Sequence, residues 1–338
     1  MESRDCFKEL PWFYKNLMHY VHVFTVPVYI AVLAVLYRET SKAFKTYKYY
    51  IMIHVFINFT SEMNCCYLLL PDTILPHPLL KMSGLMAQWG FSGILLFYIQ
   101  AQFVIWTAGS ISEMFYFRLK ICIFNHDKHS FFKFLKILAY LFRFSMFLHP
   151  VIVAATLQLS LVEEQEGRMK LWLSNTTAIP VEVTCYSVML AIPDSIVIWI
   201  LIPVYFFMMI TSCVIAGFSV GYIFRFIRKN KVMSKQTEML QRMLIYSLTI
   251  QAVIHSTMIV CPIIYLFIGF FFKLTIDSVA KVFILIFAYH GFVSTCGMVI
   301  FTKPLRDKLL PFFKYIKVGQ SAQISTARIS TTVAGPPN

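Results

Sequence analysis

Nine histidines, eight cysteines and sixteen acidic residues are the side chains through which this chain could make or break bonds, and their spacing argues against it. No HExxH, GxSxG or Walker A sequence is present, so the usual zinc, serine and phosphate chemistries have no local signature. Histidines fall close together only as His19/His22 and His126/His129, too few for the histidine boxes of a membrane metalloenzyme. His126 and His129 flank Asp127 in a basic stretch, which reads as a solvated surface. The cysteines form no CxxC pair, and most lie in apolar stretches where a thiol behaves as a small hydrophobe. The expectation is no enzyme, no cofactor and no metal.

The chemistry that remains is recognition by polar groups isolated in apolar surroundings. In the third apolar stretch Ser92, Leu95, Ile99, Gln102, Trp106, Gly109 and Glu113 recur at steps of three and four, placing polar and small groups on one helical stripe. His255, Ile259, Pro262 and Tyr265 share a face of the sixth, and His290, Ser294 and Gly297 one of the seventh. Polar groups in lipid are costly and point inward, where they either bond helix to helix or meet a ligand. On the second reading Gln102, His255, Tyr265 and His290 line a cavity. Glu62 is the acid deepest in a stretch, roughly 20 Å from one end of its helix, and joins them as a ligand-binding candidate with His290 as its expected partner. A protonated, structural Glu62 is the other reading. Arg143 lies about six residues into its helix and is expected to reach the interface along its own stem.

The elements that must position these groups are membrane helices. The 338 residues are 58% hydrophobic and 14% charged, where soluble domains carry roughly 45–50% and ~25%. Seven stretches are long enough to cross a hydrocarbon core of ~30 Å. They run about 17–37, 49–70, 82–112, 137–162, 195–224, 243–272 and 282–302. Lipid cannot satisfy open backbone groups, and there is no period-two alternation, so all seven are expected as helices of an all-α bundle. Pro27, Pro150, Pro203 and Pro262 fall inside spans and permit kinks. The predicted organisation is an N-terminus of 1–16, a seven-helix domain of 17–302 and a tail of 303–338. Residues 1–16 show no removable signal sequence, so the first span would do the targeting.

Orientation follows from charge. Alternate loops and the tail carry +17 in all, the opposite set carries −2, and Glu62, Glu113 and Arg143 inside spans add −1, so the net +14 reflects loops between spans and not a nucleic-acid surface. Basic loops stay in the cytosol, which places the N-terminus outside and the tail inside. Asn175 begins an N-x-T glycosylation acceptor in the acidic outer loop, while the equally good match at Asn58 lies inside a span. Cys6 and Cys185 are the two cysteines on the outer side; they either bridge or remain separate thiols.

These residues carry a resemblance. MSKQTEMLQRMLIYSLTIQ, residues 233–251, followed by Pro262, resembles the third cytosolic loop and sixth helix of nematode serpentine chemoreceptors. HGFVSTCGMVIFTKPLR, residues 290–306, is similar to the end of their seventh helix, with Leu305 where a tyrosine is usual. Pro27, the turn 40–48 and His54 resemble the first two helices of class H members, and 113–118 the acid and arginine that end the third; class I is the alternative. The rhodopsin-like Asp/Glu-Arg-Tyr and Asn-Pro-x-x-Tyr patterns are absent.

The resemblance implies a seven-helix receptor of chemosensory neurons, carried to the ciliary plasma membrane, that binds a small external molecule such as an odorant or pheromone. It also implies signalling through a heterotrimeric G protein. Docking is then expected at the inner helix ends, on Arg118, Arg228, Lys229 and Lys235, together with Arg242, Lys303 and Arg306. Attraction of these bases to anionic membrane lipid is the simpler explanation for most of them, with Arg118 and Arg242 the expected exceptions. The rival classes are a seven-span ligand-gated channel or transporter subunit and a protein that escorts partners.

Overall fold

The computed structural model describes residues 10–38, 46–75, 77–122, 130–173, 181–190, 195–229, 235–272 and 277–309. Its helices are α1 (Trp12–Tyr20), α2 (His22–Arg38), α3 (Tyr47–Met63), α4 (Leu85–Gln88), α5 (Gly93–Cys122) and α6 (Ser130–Leu173). They continue as α7 (Ile196–Lys229), α8 (Lys235–Phe271), α9 (Asp277–Ala288), α10 (His290–Phe301) and α11 (Lys303–Leu309). Five helical runs are long and apolar enough to cross a membrane: Trp12–Arg38, Gly93–Cys122, Phe131–Leu173, Ile196–Arg228 and Gln241–Leu266. A sixth is the pair α9 and α10, bent by 47°. α3 occupies the expected second span and is prolonged by a π turn over Asn64–Leu69.

The bundle agrees with the expected helical architecture, and its boundaries differ in physically instructive ways. The first span opens at Trp12, because α1 runs into α2 with a break only at Val21. The third begins at Gly93 and not at Met82, where the backbone is extended. Ser92 caps it, accepting from the Leu95 N–H at 3.3 Å. The fourth is far longer than its apolar stretch: α6 has 44 residues, about 66 Å at 1.5 Å each, so Glu163 to Lys170 are helical and not loop. Pro27, Pro150, Pro203 and Pro262 all lie inside helices, as expected.

Beyond the helices, β1 (Pro71–Ile74) and β2 (Leu79–Met82) form an antiparallel hairpin, to which β3 (Val188–Leu190) adds by pairing with β2. Pro71 opens the edge strand, a position that needs no ladder N–H. The hairpin is entered through Leu70, whose φ of 44° is unusual for a side-chain-bearing residue and ends the π turn. Arg168 of α6 gathers β3 from below. Its Nη1 donates to the carbonyls of Val183 (2.9 Å) and Cys185 (2.6 Å), and its Nη2 to Val188 O and to Glu164. Glu164 in turn accepts from the Leu190 N–H at 2.9 Å. Gly93 starts α5 so close to this sheet that a Cβ would stand 2.6 Å from Met189 N.

The main apolar core lies between α2, α3, α5, α8 and α10, around Leu36, Ile51, Val55, Met114, Leu248 and Met298. A second cluster packs Tyr14 and Met18 of α1 on Cys65, Cys66 and Ile284 at the sheet end. α1 is also latched there by hydroxyls. Tyr14 donates to Pro71 O (2.6 Å), while Tyr67 and Tyr289 donate to His19 O (3.0 Å) and Leu17 O (2.8 Å), carbonyls left open by the end of α1.

Candidate functional site

α3 carries His54, Asn58 and Glu62 four residues apart, so one face presents all three to the bundle interior, where each is 0–1% exposed. His54 Nδ1 lies 2.7 Å from Ser110 Oγ of α5, and its Nε2 3.1 Å from Asn58 Nδ2. The other end of the Asn58 amide is 3.3 Å from His255 Nε2, while His255 Nδ1 meets Gln251 O at 2.9 Å. An amide is nearly symmetric in shape; with Asn58 turned over it accepts from His54 and donates to His255. His255 is then free to donate to Gln251, and neither His54 nor His255 needs a charge to make these bonds. Gly291 permits this proximity of α10 and α3, since a Cβ there would be 2.8 Å from Asn58 Cβ.

His290 stands beside the chain, its ring 5.2 Å from that of His255, at the 47° bend between α9 and α10. Its Nδ1 donates to Phe287 O at 2.6 Å, which leaves Nε2 as a buried acceptor without a partner among the described residues. Ser294 Oγ, one turn on, is in the same condition. Glu62 does not pair with His290. It accepts from Tyr29 Oη at 2.8 Å, and its Oε1 lies 3.2 Å from His22 Nδ1. The expectation failed because the bend turns the His290 Nδ1–H onto the last turn of α9, whereas Tyr29 and His22 face α3 from α2.

Gln102 belongs to a separate network. Its Oε1 accepts from His149 Nδ1 at 2.7 Å, and Tyr205 Oη donates to His149 Nε2 at 2.9 Å, joining α5, α6 and α7. Its Nε2 is buried without a partner among the described residues. Tyr265 stacks on Phe283 of α9 at 4.5 Å. The four predicted cavity residues therefore fall into three places, with His255 and His290 together and Gln102 and Tyr265 apart. On the third span, Trp106 of the expected inward stripe is 38% exposed, while Gln100 and Thr107 are buried. A groove of about 420 Å³ lies along α1, lined by Leu10, Trp12, Lys15, Asn16, His19 and Tyr20, none of them predicted.

At the opposite end the basic residues separate by environment. Arg118 is 2% exposed, its guanidinium 3.5 Å above the Tyr47 ring centroid, so it presents no charge to a docking partner in this conformation. The expected docking role placed Arg118 at the surface; α5 instead turns it under Tyr47 of α3. Arg228 and Lys303 are exposed, and Arg306 donates to Ile300 O at 2.8 Å. Arg242 pairs with Glu238 at 2.7 Å. Lys229 and Lys235 lie in α7 and α8. Arg143 does not run to the interface but grips Glu113.

On the sheet side Cys185 is disulfide-bonded, and Cys65, Cys66, Cys122, Cys213, Cys261 and Cys296 are free. Cys6, Asn175 and the tail beyond Leu309 lie outside the described residues, as do His126 and His129.

An apolar bundle with polar groups sealed in its interior is compatible with several membrane functions; the family comparison decides between them. The family model described as serpentine type 7TM GPCR chemoreceptor Srh matches residues 9–315. The chain belongs to that family. It is a multi-pass membrane protein, a seven-transmembrane chemosensory receptor of the G-protein-coupled type and not an enzyme. Neither a curated protein sequence nor a solved structure matches it.

Within this Srh chain, sequence reasoning missed His22, Tyr29, His54 and Asn58 as members of the interior network, and His149 and Tyr205 as partners of Gln102. The first group had a readable signal only in its α3 members, His54 and Asn58, which are spaced with Glu62 at i, i+4 and i+8. The second had none, because its members come from three helices about 50 residues apart.

Proposed function

We propose that this receptor binds a small external molecule among the polar groups buried midway along the bundle and passes the signal to a heterotrimeric G protein at the face opposite the sheet. The observation that carries the reading is the buried chain Ser110–His54–Asn58–His255, with His290 beside it at the bend between α9 and α10. It ties α5, α3 and α8 together through interchangeable donors and acceptors next to a broken helix. A ligand that supplies a donor to His290 Nε2 would repartition those bonds and shift the packing of α8 against α10.

Alanine variants of Glu62, Gln102, His255, Tyr265 and His290 test this in reporter cells exposed to a library of odorant and pheromone-like compounds. Loss of one buried hydrogen bond to ligand should weaken potency roughly 5- to 150-fold. If all five reach the surface and keep the parent's dose response, the ligand binds elsewhere.

The same reading places the sheet and the N-terminus outside, the tail in the cytosol, and the receptor in the plasma membrane, on the cilium in a sensory neuron. Charge asymmetry supports the orientation. It also assigns Cys6 as the partner of Cys185 and a glycan to Asn175. Arg228, Lys229, Lys235, Lys303 and Arg306 offer the G protein its basic surface, with anionic lipid as the competitor. Arg118 and Arg242 would join when Tyr47 and Glu238 release them. An epitope tag at Asn338 should be reached by antibody only after permeabilisation; labelling of intact cells would sink the orientation and the docking face with it.

A further inference from the structure

Two acids are fully buried among the described residues, Glu62 and Glu164, and only Glu164 has a lysine or arginine partner. Glu113 has Arg143, Glu164 has Arg168, and Asp72 has Lys281. Glu62, 1% exposed, has no lysine or arginine among the described residues, and its Oε1 has no hydrogen-bond partner. Tyr29 supplies one neutral donor. His22 is poorly suited to be the counter-ion. Its Nδ1 is shared between Glu62 and Thr25, each at 3.2 Å, and an imidazolium would also carry a proton on Nε2, which is buried with no acceptor among the described residues. An ionised carboxylate left alone in such a place is costly, so Glu62 either holds a proton or receives a cation from outside.

The surroundings favour the second. The Tyr29 ring packs against Phe59 (5.4 Å) and Phe292 (6.3 Å), and the His22 ring against Tyr67 (4.8 Å) and Tyr289 (6.1 Å), so aromatic rings gather around the two groups that touch the carboxylate. Aromatic faces beside an acid are the environment in which organic ammonium ions are recognised. Access is also short. Glu62 lies eight residues before Leu70, about 12 Å from the sheet end of its helix, and above it sits α1, fastened by tyrosine hydroxyls on backbone carbonyls.

We propose that Glu62 is the counter-ion of a cationic ligand, and that the receptor's ligand class is small organic amines carried as ammonium ions. The inference rests on reading the bundle interior as the ligand site and adds the charge of the ligand. An ammonium enters beneath α1, donates to Glu62 Oε1, and lies against the Tyr29 and His22 rings.

The test uses the full-length receptor in nanodiscs, in potassium buffer, with thermal shift titrations of n-butylammonium, 2-phenylethylammonium and tetramethylammonium. 1-Butanol and 2-phenylethanol serve as uncharged counterparts. The expected result is saturable stabilisation by at least one ammonium, retained in Glu62→Asp and weakened roughly 10- to 150-fold in Glu62→Gln, which copies a protonated glutamate and should fold. The alcohols should do little. Equal stabilisation of the parent and Glu62→Gln by ammonium ions overturns the proposal, as does stabilisation by sodium over potassium with no response to amines. Stabilisation by the alcohols alone overturns the ligand charge but leaves the interior site standing. Silence toward every probe also overturns the amine class, and the alanine scan above then decides separately whether the interior binds ligand at all.

Discussion

Arg143 of α6 lays the edge of its guanidinium along Glu113 of α5, with Nε 2.6 Å from Oε1 and Nη2 2.7 Å from Oε2. Two parallel bonds fix both the rotation and the height of one helix against the other, which a single contact would not do. Replacing one partner, by Arg143→Met or Glu113→Gln, strands the other charge on an apolar surface. Each single variant should lower the thermal midpoint of detergent-solubilised receptor more than the double variant's additivity allows. The coupling energy should fall at the low end of about 0.5–3 kcal/mol, because both side chains retain some exposure.

Arg168 holds three carbonyls of the segment that contains β3, so Arg168→Met removes the clamp and leaves those acceptors to water. A loss of about 2–4 kcal/mol is expected from several bonds made by one charged donor. Limited proteolysis should show faster cutting near 181–190, with the helices cut no faster than in the parent. Unchanged cutting would mean that the strand pairing alone holds the segment.

Two glycine substitutions should differ in sign. Gly93→Ala puts a methyl group 2.6 Å from Met189 N and 2.7 Å from Ser187 O, both backbone atoms that cannot step aside. The expected cost is about 1–3 kcal/mol. Gly217→Ala on α7 meets nothing within 4 Å and should be neutral or stabilise by up to about 1 kcal/mol. Midpoints of thermal aggregation measured side by side check both.

Burial also separates two basic residues that composition treats alike. Arg118→Glu places a carboxylate against the face of Tyr47 in a site with 2% exposure, so surface biotinylation should show a severe loss of mature receptor. Arg228→Glu, on an exposed position, should reach the surface at near-parental levels and be impaired only in signalling. Equal surface levels for both would show that Arg118 leaves its burial site readily.

How much of this was legible beforehand depends on the range of the interaction. The apolar stretches could be read because lipid demands about 20 such residues in a row, and that constraint acts locally. β3 could not, since Val188–Leu190 is three residues whose partner Leu79–Lys81 lies in another loop, too short for any alternation to register. The length of α6 beyond its apolar part was hidden because Glu163, Glu164, Arg168 and Lys170 look like loop charge until Arg168 is seen holding β3. Glu62 was recognisable as an oddity from its type and depth alone. Its neighbours Tyr29 and His22 were not, because helix packing and not sequence spacing brings them there.

The order of the strands has a consequence for how the receptor is made. β1 and β2 leave the ribosome together, but β3 follows β2 by about a hundred residues, with α5 and α6 synthesised between them. At about 5–20 residues per second the hairpin waits roughly 5–20 s with the open edge of β2 unpaired. An unpaired edge invites pairing with the wrong chain, and this one carries Leu79 and Leu80. The cap over the bundle thus closes out of sequence, only after the chain is more than half made, and the yield of intact receptor should depend on what guards that edge in the interval.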